Sequence, residues 1–306
     1  MEIRRRDFFK LSGAMVATTL IKEDKTAEAA HAPEVSEDAY GCLVDTTLCI
    51  GCRKCEEACN IRHKLAKPEE PFEEMAVLEN ERRPDETSYT VVNKYYPKNV
   101  GTLIWRERPT FVKFQCMHCF DPACVSACIV GALTKSPDGP VSYDVSKCIG
   151  CRYCMVACPF QIPAYEYHKA LTPEVRKCTF CFEYIKDGGL PACAQACPRE
   201  AIKFGKRKDL LKLAKSTIKD HPGKYVDHIY GEHEVGGTSW MYLAAEPFEQ
   251  IGFPKLSEDA PPRLTESIQH AIFNHFAGPI GLFITLAGIM GFTNFCKNGK
   301  DKETKD

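Results

Sequence analysis

Sixteen of the chain's eighteen cysteines fall into four groups of four, and this pattern leaves few folds open. Group one is Cys49, Cys52, Cys55 and Cys59, and group two is Cys116, Cys119, Cys124 and Cys128. Group three is Cys148, Cys151, Cys154 and Cys158, followed by Pro159; group four is Cys178, Cys181, Cys193 and Cys197, followed by Pro198. Groups one and three match the C-x2-C-x2-C-x3-C run of bacterial iron–sulfur proteins. Groups two and four keep the first pair and the last gap but lengthen the middle by two and nine residues. The longer insertion contains Asp187-Gly188-Gly189-Leu190-Pro191, a loop composition.

Short loops let three successive thiolates converge on one centre. The fourth cysteine, carried a turn further on a short helix, points away and ligates the neighbouring cube. A pair of groups therefore makes a two-cluster module with exchanged fourth ligands, and sixteen thiolates suffice for four [4Fe–4S] clusters. Structural zinc favours two C-x2-C pairs with a longer stretch between them, which leaves groups one and three overcrowded. Disulfides across two-residue gaps would close loops too short to stabilise the chain much. Spacing alone permits group one to exchange with two and three with four, or one with four and two with three. Only residues 129–147 separate groups two and three, a connection of ordinary two-cluster length. That favours two with three, nested inside one with four.

Around this core the sequence predicts an α+β fold of two nested ferredoxin-like modules with insertions. Residues 60–115 form a polar, proline-containing insertion that ends in a strand over 110–114. Short strands are expected at 132–133 and 141–143 around Pro137-Asp138-Gly139, and another over 201–205. Residues 208–218 have the apolar spacing of an amphipathic helix. Lys206, Arg207 and Lys208 read as a solvated helix start. Cys42 reads as a small buried hydrophobe. A net charge of −1 gives no reason to expect a nucleic-acid partner.

Both ends carry targeting signals. Arg5 and Arg6, followed by Phe8, Phe9 and a weakly apolar run, resemble a twin-arginine export signal over 1–29, with Ala27-Glu28-Ala29 as the cleavage site. Arg4 stands where Ser or Thr is usual. Export of folded protein suits a domain that must acquire metal in the reducing cytoplasm. After a body over 30–262, the stretch Ala271 to Phe292 holds no Asp, Glu, Lys or Arg. At 1.5 Å per residue it spans about 33 Å, enough for a hydrocarbon core of about 30 Å. The expectation is one C-terminal transmembrane helix within an anchor over 263–296. Lys297, Lys300, Lys302 and Lys305 place the tail, 297–306, in the cytoplasm and the body on the periplasmic side of the inner membrane. Cys296, at the end of that helix, reads as a bystander thiol. His270 and His275 are candidates to flank a quinone, although interfacial histidines are more often plain helix-end residues.

Gln115-Cys116-Met117-His118-Cys119, the run Gly150 to Pro159, Tyr230-Gly231-Glu232, Gly236-Gly237-Thr238 and Ser267-Ile268-Gln269-His270 carry a further signal. On these stretches nearly the whole chain resembles the membrane-anchored four-cluster ferredoxin subunits of periplasmic respiratory oxidoreductases, in particular those of hydrogenase-2-type nickel–iron hydrogenases. The cysteine pattern alone is shared with related subunits of formate dehydrogenases and of DMSO, thiosulfate and nitrite reductases. The resemblance implies crossed ligation. Cys49, Cys52 and Cys55 would pair with Cys197, and Cys178, Cys181 and Cys193 with Cys59. Cys116, Cys119 and Cys124 would pair with Cys158, and Cys148, Cys151 and Cys154 with Cys128. With Cys154 present, nothing forces a [3Fe–4S] centre; Ile129, where Pro often follows the group-two run, alters only a local turn. The implied role is a non-catalytic wire. Its partners would be hydrogenase small and large subunits, or a molybdenum catalytic subunit, and an integral-membrane quinone-reactive subunit. No nucleophile–base pair, phosphate loop or Rossmann glycine pattern argues for a self-contained enzyme.

Overall fold

The structure is a computed structural model, and it describes residues 35–36, 38–96, 108–261, 281 and 283–290. Residues 32–263 form one compact unit, and residues 1–31 with 264–306 form a second. In the second unit, residues 281 and 283–290 are helical, and Thr285 Oγ1 donates to the Gly281 carbonyl at 2.7 Å. No helix among the described residues is long and apolar enough to cross a membrane. The export signal, most of the expected anchor, His270, His275 and Cys296 lie outside the described residues.

The main unit is built on a three-stranded sheet of β1 (Tyr40–Asp45), β8 (Ile202–Lys206) and β9 (Trp240–Leu243). β1 lies in the middle, antiparallel to β8 with Cys42 opposite Phe204, and parallel to β9 with Cys42 opposite Trp240. Successive strand side chains face opposite ways. Cys42 and Val44 therefore enter the main core with Trp240 and Tyr242, while Leu43 enters a second core with Met241 and Leu243. The second core is closed by α6 (Arg207–Asp220), which buries Leu210 and Ala214 one turn apart on one face. Cys42 is fully buried and apolar in its surroundings.

Between β1 and β8 the chain makes two nested layers. The outer one contains α1 (Lys54–His63), α4 (Phe182–Lys186) and α5 (Ala192–Gln195), with α1 packed on α5. The inner one contains α2 (Ala123–Ser126), β4 (Leu133–Lys135), β5 (Val141–Tyr143) and α3 (Tyr153–Ala157), with α2 packed on α3. A small core of Leu133, Val141, Cys154 and Val175 fills the inner layer. The two-residue strands β6 (Ala164–Tyr165) and β7 (Val175–Arg176) pair after it. The insertion over 60–115 is more ordered than its polarity suggests. It supplies β2 (Thr90–Tyr95), which pairs antiparallel with β3 (Thr110–Gln115).

Glu56 ties this insertion to α1. Its carboxylate, 5% exposed, accepts from Arg53, from Arg82 and from the Val92 amide at 2.6 Å.

The basic run at 206–208 does start α6 and Lys208 is exposed there, but Arg207 is not solvated. Arg207 is half-buried and donates to the carbonyls of Thr238, Gly231 and Glu232 at 2.8–3.0 Å, with its guanidinium over Phe120. Lys206 covers the Tyr40 ring, and Lys208 pairs with Asp38. Three carbonyls of the turn leading into β9 claim the one side chain of the run that can fork.

Candidate metal centres

The first C-x2-C pair of each group closes through a left-handed residue just before its second cysteine. The four are Gly51 (φ 71°), His118 (φ 49°), Gly150 (φ 69°) and Phe180 (φ 61°). Arg53 and Arg152, directly after the second cysteines of groups one and three, are also left-handed. Such turns curl the chain so that sulfurs and amides face inward. For a residue with a Cβ they cost roughly 1–2 kcal/mol, so His118 and Phe180 are strained positions held by their surroundings.

All seventeen described cysteines are free of disulfides. Cys49, Cys52, Cys55 and Cys197 line one cavity, whose other walls include Val44, Ile50 and Ile202. Burial first, then Cys197 and Cys52, push the Cys49 thiol up to about 11, against the amide of Gly51. Burial, then Cys178, Cys193 and Cys181, push Cys59 up as well. In the inner layer, burial, then Cys158, Cys116 and Cys124, push Cys119 up. Cys128, Cys148, Cys151 and Cys154 line a second cavity; burial followed by Cys128, Cys148 and Cys151 pushes Cys154 up to about 11. Thiols that raise one another in this way lie close together, and each set converges on one place. Among the described residues, no three His, Cys, Asp or Glu side chains come close enough to share a single metal ion. The thiols stand around cavities instead.

The sets also follow one another in space. Cys193 acts electrostatically on Cys55, Cys116 on Cys178, and Cys154 on Cys124, linking the outer-layer sets to each other and then to the inner ones. Cys151, at the far end, is solvent-exposed.

The surroundings suit thiolate–metal centres. Amides of Ala132, Gly150 and Phe180 donate to the sulfurs of Cys128, Cys148 and Cys178 at 3.2, 3.5 and 3.3 Å. Nε2 of His118 and Nε1 of Trp240 are buried without a hydrogen-bond partner among the described residues. His118 Nδ1 accepts the Val141 amide, which leaves the hydrogen of the neutral ring on Nε2. Buried N–H groups of this kind are normally satisfied; the Cys178 backbone lies beside the His118 ring, and sulfide held between the cysteines would offer Trp240 an acceptor. The residues present therefore fit iron–sulfur clusters.

Three neighbours escape a reading by cysteine spacing. Lys113, Lys135 and Lys177 are 3%, 4% and 5% exposed, and all lie among the cysteine groups. Lys113 stands in a strand whose alternation, read alone, assigns its polar residues to solvent. Burial works against its charge, but Cys193, Cys55, Tyr242 and Cys178 together hold its ammonium above the usual lysine value.

Converging cysteine sets in a fold of short helices and strands define a ferredoxin-type iron–sulfur protein. Residues 108–207 match the 4Fe-4S dicluster domain family. The chain is 33% identical to the hydrogenase-2 operon protein HybA of Escherichia coli O157:H7, over 99% of this chain and 98% of that one. It is 32% identical to the nitrate-inducible formate dehydrogenase iron–sulfur subunit of Escherichia coli K12, over 86% and 87% of the two chains. A protein of Nitratidesulfovibrio vulgaris, whose name states no function, is 48% identical over 88% of this chain and 72% of its own. The chain belongs to this family of multi-cluster iron–sulfur subunits, which carry electrons and do not catalyse a reaction themselves.

Proposed function

We propose that the protein relays electrons through four [4Fe–4S] clusters, between a periplasmic hydrogenase and a quinone-reactive membrane partner. When bound, the clusters supply one-electron transfer. The ligand sets are Cys49, Cys52, Cys55 and Cys197; Cys178, Cys181, Cys193 and Cys59; Cys116, Cys119, Cys124 and Cys158; and Cys148, Cys151, Cys154 and Cys128. The observation that carries the reading is the succession of these sets through one body, ending at exposed Cys151. The chain's own work is to hold sixteen thiolates, donate amides to their sulfurs, and keep every ligand cysteine but Cys151 at least partly buried.

The twin-arginine pattern and the apolar stretch 271–292 support export to the periplasmic side and a C-terminal anchor in the inner membrane. The full-length likeness to HybA favours hydrogenase small and large subunits as partners. The likeness to formate dehydrogenase iron–sulfur subunits favours the second reading, a molybdenum catalytic partner. Anaerobic purification of the intact membrane complex tests both. Roughly sixteen irons per chain together with a nickel–iron large subunit is the expected result. A molybdenum subunit selects the second reading, and zinc in place of iron refutes the relay.

A further inference from the structure

Lysine is almost never fully buried unless it is paired, because an isolated ammonium is costly to take out of water. Lys113 is 3% exposed, and no carboxylate among the described residues lies within ion-pair distance of it. The side chain is nonetheless firmly held. Nζ donates to Gln115 Oε1 at 2.7 Å, Gln115 Nε2 donates to Tyr242 Oη at 2.6 Å, and Tyr242 Oη donates to the Lys113 carbonyl at 2.9 Å. The ammonium lies 4.4 Å from the centre of the Trp240 ring. It lines the same cavity as Cys49, Cys52, Cys55 and Cys197. Of its three donors, one goes to Gln115 and the Trp240 face receives the charge; among the described residues only cysteine sulfurs, and no carboxylate, are placed to balance it. In the inner layer Lys177 and Lys135 are buried too. They donate to the carbonyls of Val141 and Cys178 and to those of His118 and Gly139, again with no carboxylate in ion-pair distance among the described residues. Burial, however, pushes the Lys135 ammonium down to about 7, whereas Lys113 is held above the usual lysine value.

We propose that Lys113 is the built-in counter-charge of the outer two-cluster module, a positioning residue that sets the reduction potentials of the clusters it faces. The inference rests on the four-cluster reading above. Four thiolates give each centre a net negative charge, and taking up one electron makes it one unit more negative. A fixed positive charge nearby favours the reduced state, and the dry interior screens it little. Gln115, Tyr242 and Trp240 keep that charge at one place, so its effect is the same in every molecule.

The test is a redox titration followed by electron paramagnetic resonance on the full-length, cluster-loaded protein and its Lys113→Met and Lys113→Arg variants, with iron counted in each. A wild-type protein without cluster iron and cluster signals would remove the four-cluster reading itself, before any variant is compared. With iron retained, K113M is expected to make one-electron reduction of the outer-module clusters at least tenfold less favourable, a midpoint lower by 59 mV. K113R should stay within threefold of wild type. Unchanged midpoints in K113M, or equal shifts in both variants, would overturn the proposal. If K113M loses iron while K113R keeps it, uncompensated cluster charge has blocked assembly and the proposal stands. Loss of iron in both would show that the site needs the lysine's shape, and would overturn it.

Discussion

His118 and Phe180 meet edge to face with their ring centroids 5.1 Å apart, and each is the left-handed residue that closes a C-x2-C turn. One belongs to group two and the other to group four, so the contact joins the inner and outer layers. Phe180 also meets Trp240 edge to face at 5.8 Å. Two strained turns thus brace each other through aromatic packing, the kind of over-determination that lets unfavourable backbone persist at a functional site.

Phe180→Ala keeps the left-handed strain and removes the brace. Phe180 is 1% exposed, and deleting a buried Phe side chain costs about 3–5 kcal/mol. Denaturant unfolding of the cluster-loaded variant should show a loss of that size. A change under about 1 kcal/mol would mean that the ring contributes little to the junction.

Two left-handed glycines, Gly51 in the group-one turn and Gly131 just after group two, separate backbone strain from steric clash. A Cβ at Gly51 would lie 2.4 Å from the Phe111 ring, whereas one at Gly131 (φ 62°) would meet nothing within 4 Å. Gly131→Ala should therefore cost only the left-handed penalty of roughly 1–2 kcal/mol. Gly51→Ala adds displacement of Phe111 and should cost clearly more, with loss of iron from the Cys49 set. Equal unfolding midpoints for the two variants would contradict this.

These turns also show how far the sequence was legible. Cysteine spacing located the loops, and short strand-like runs beside turn signals located β3, β5 and β8. That reading passed over β9, since Trp240 to Leu243 are all buried between two cores and show no alternation. β2 escaped because it lies in a polar insertion and gains its partner only when β3 folds back. Lys113 and Gln115 were legible as strand residues but not as interior ones, since their alternate face meets cysteine sets and not water. Arg207 escaped for a related reason: the carbonyls it satisfies come from residues 231–238, far along the chain. The left-handed conformations of His118 and Phe180 carried no signal, because nothing in local propensity favours a bulky left-handed residue.

Glu56 is the next test. It is the sole carboxylate among the described residues in ion-pair contact with buried Arg53, and it also holds Arg82 and the start of β2. Glu56→Gln leaves two guanidinium groups without their charge partner, one of them almost fully buried. Breaking a buried pair from one side costs about 3–5 kcal/mol, and α1 should part from β2. Amide exchange over Thr90–Tyr95 should rise in E56Q; protection equal to wild type would show that strand pairing alone holds the insertion.

Crossed ligation gives the last prediction. Cys197 lies 148 residues beyond Cys49, yet the two share a cavity, while Cys193, only four residues from Cys197, acts on Cys59. If each cluster takes its fourth thiolate from the opposite group, Cys197→Ser and Cys52→Ser should affect one and the same centre. Each should lower iron by about four per chain or alter the same resonance signal. Cys193→Ser and Cys59→Ser should together affect a different one. The contrast is sharp because sequence neighbours Cys193 and Cys197 must then behave as strangers and distant Cys52 and Cys197 as partners. If C193S and C197S instead disturb the same signal, ligation follows the order of the chain, and the exchange between groups one and four is wrong.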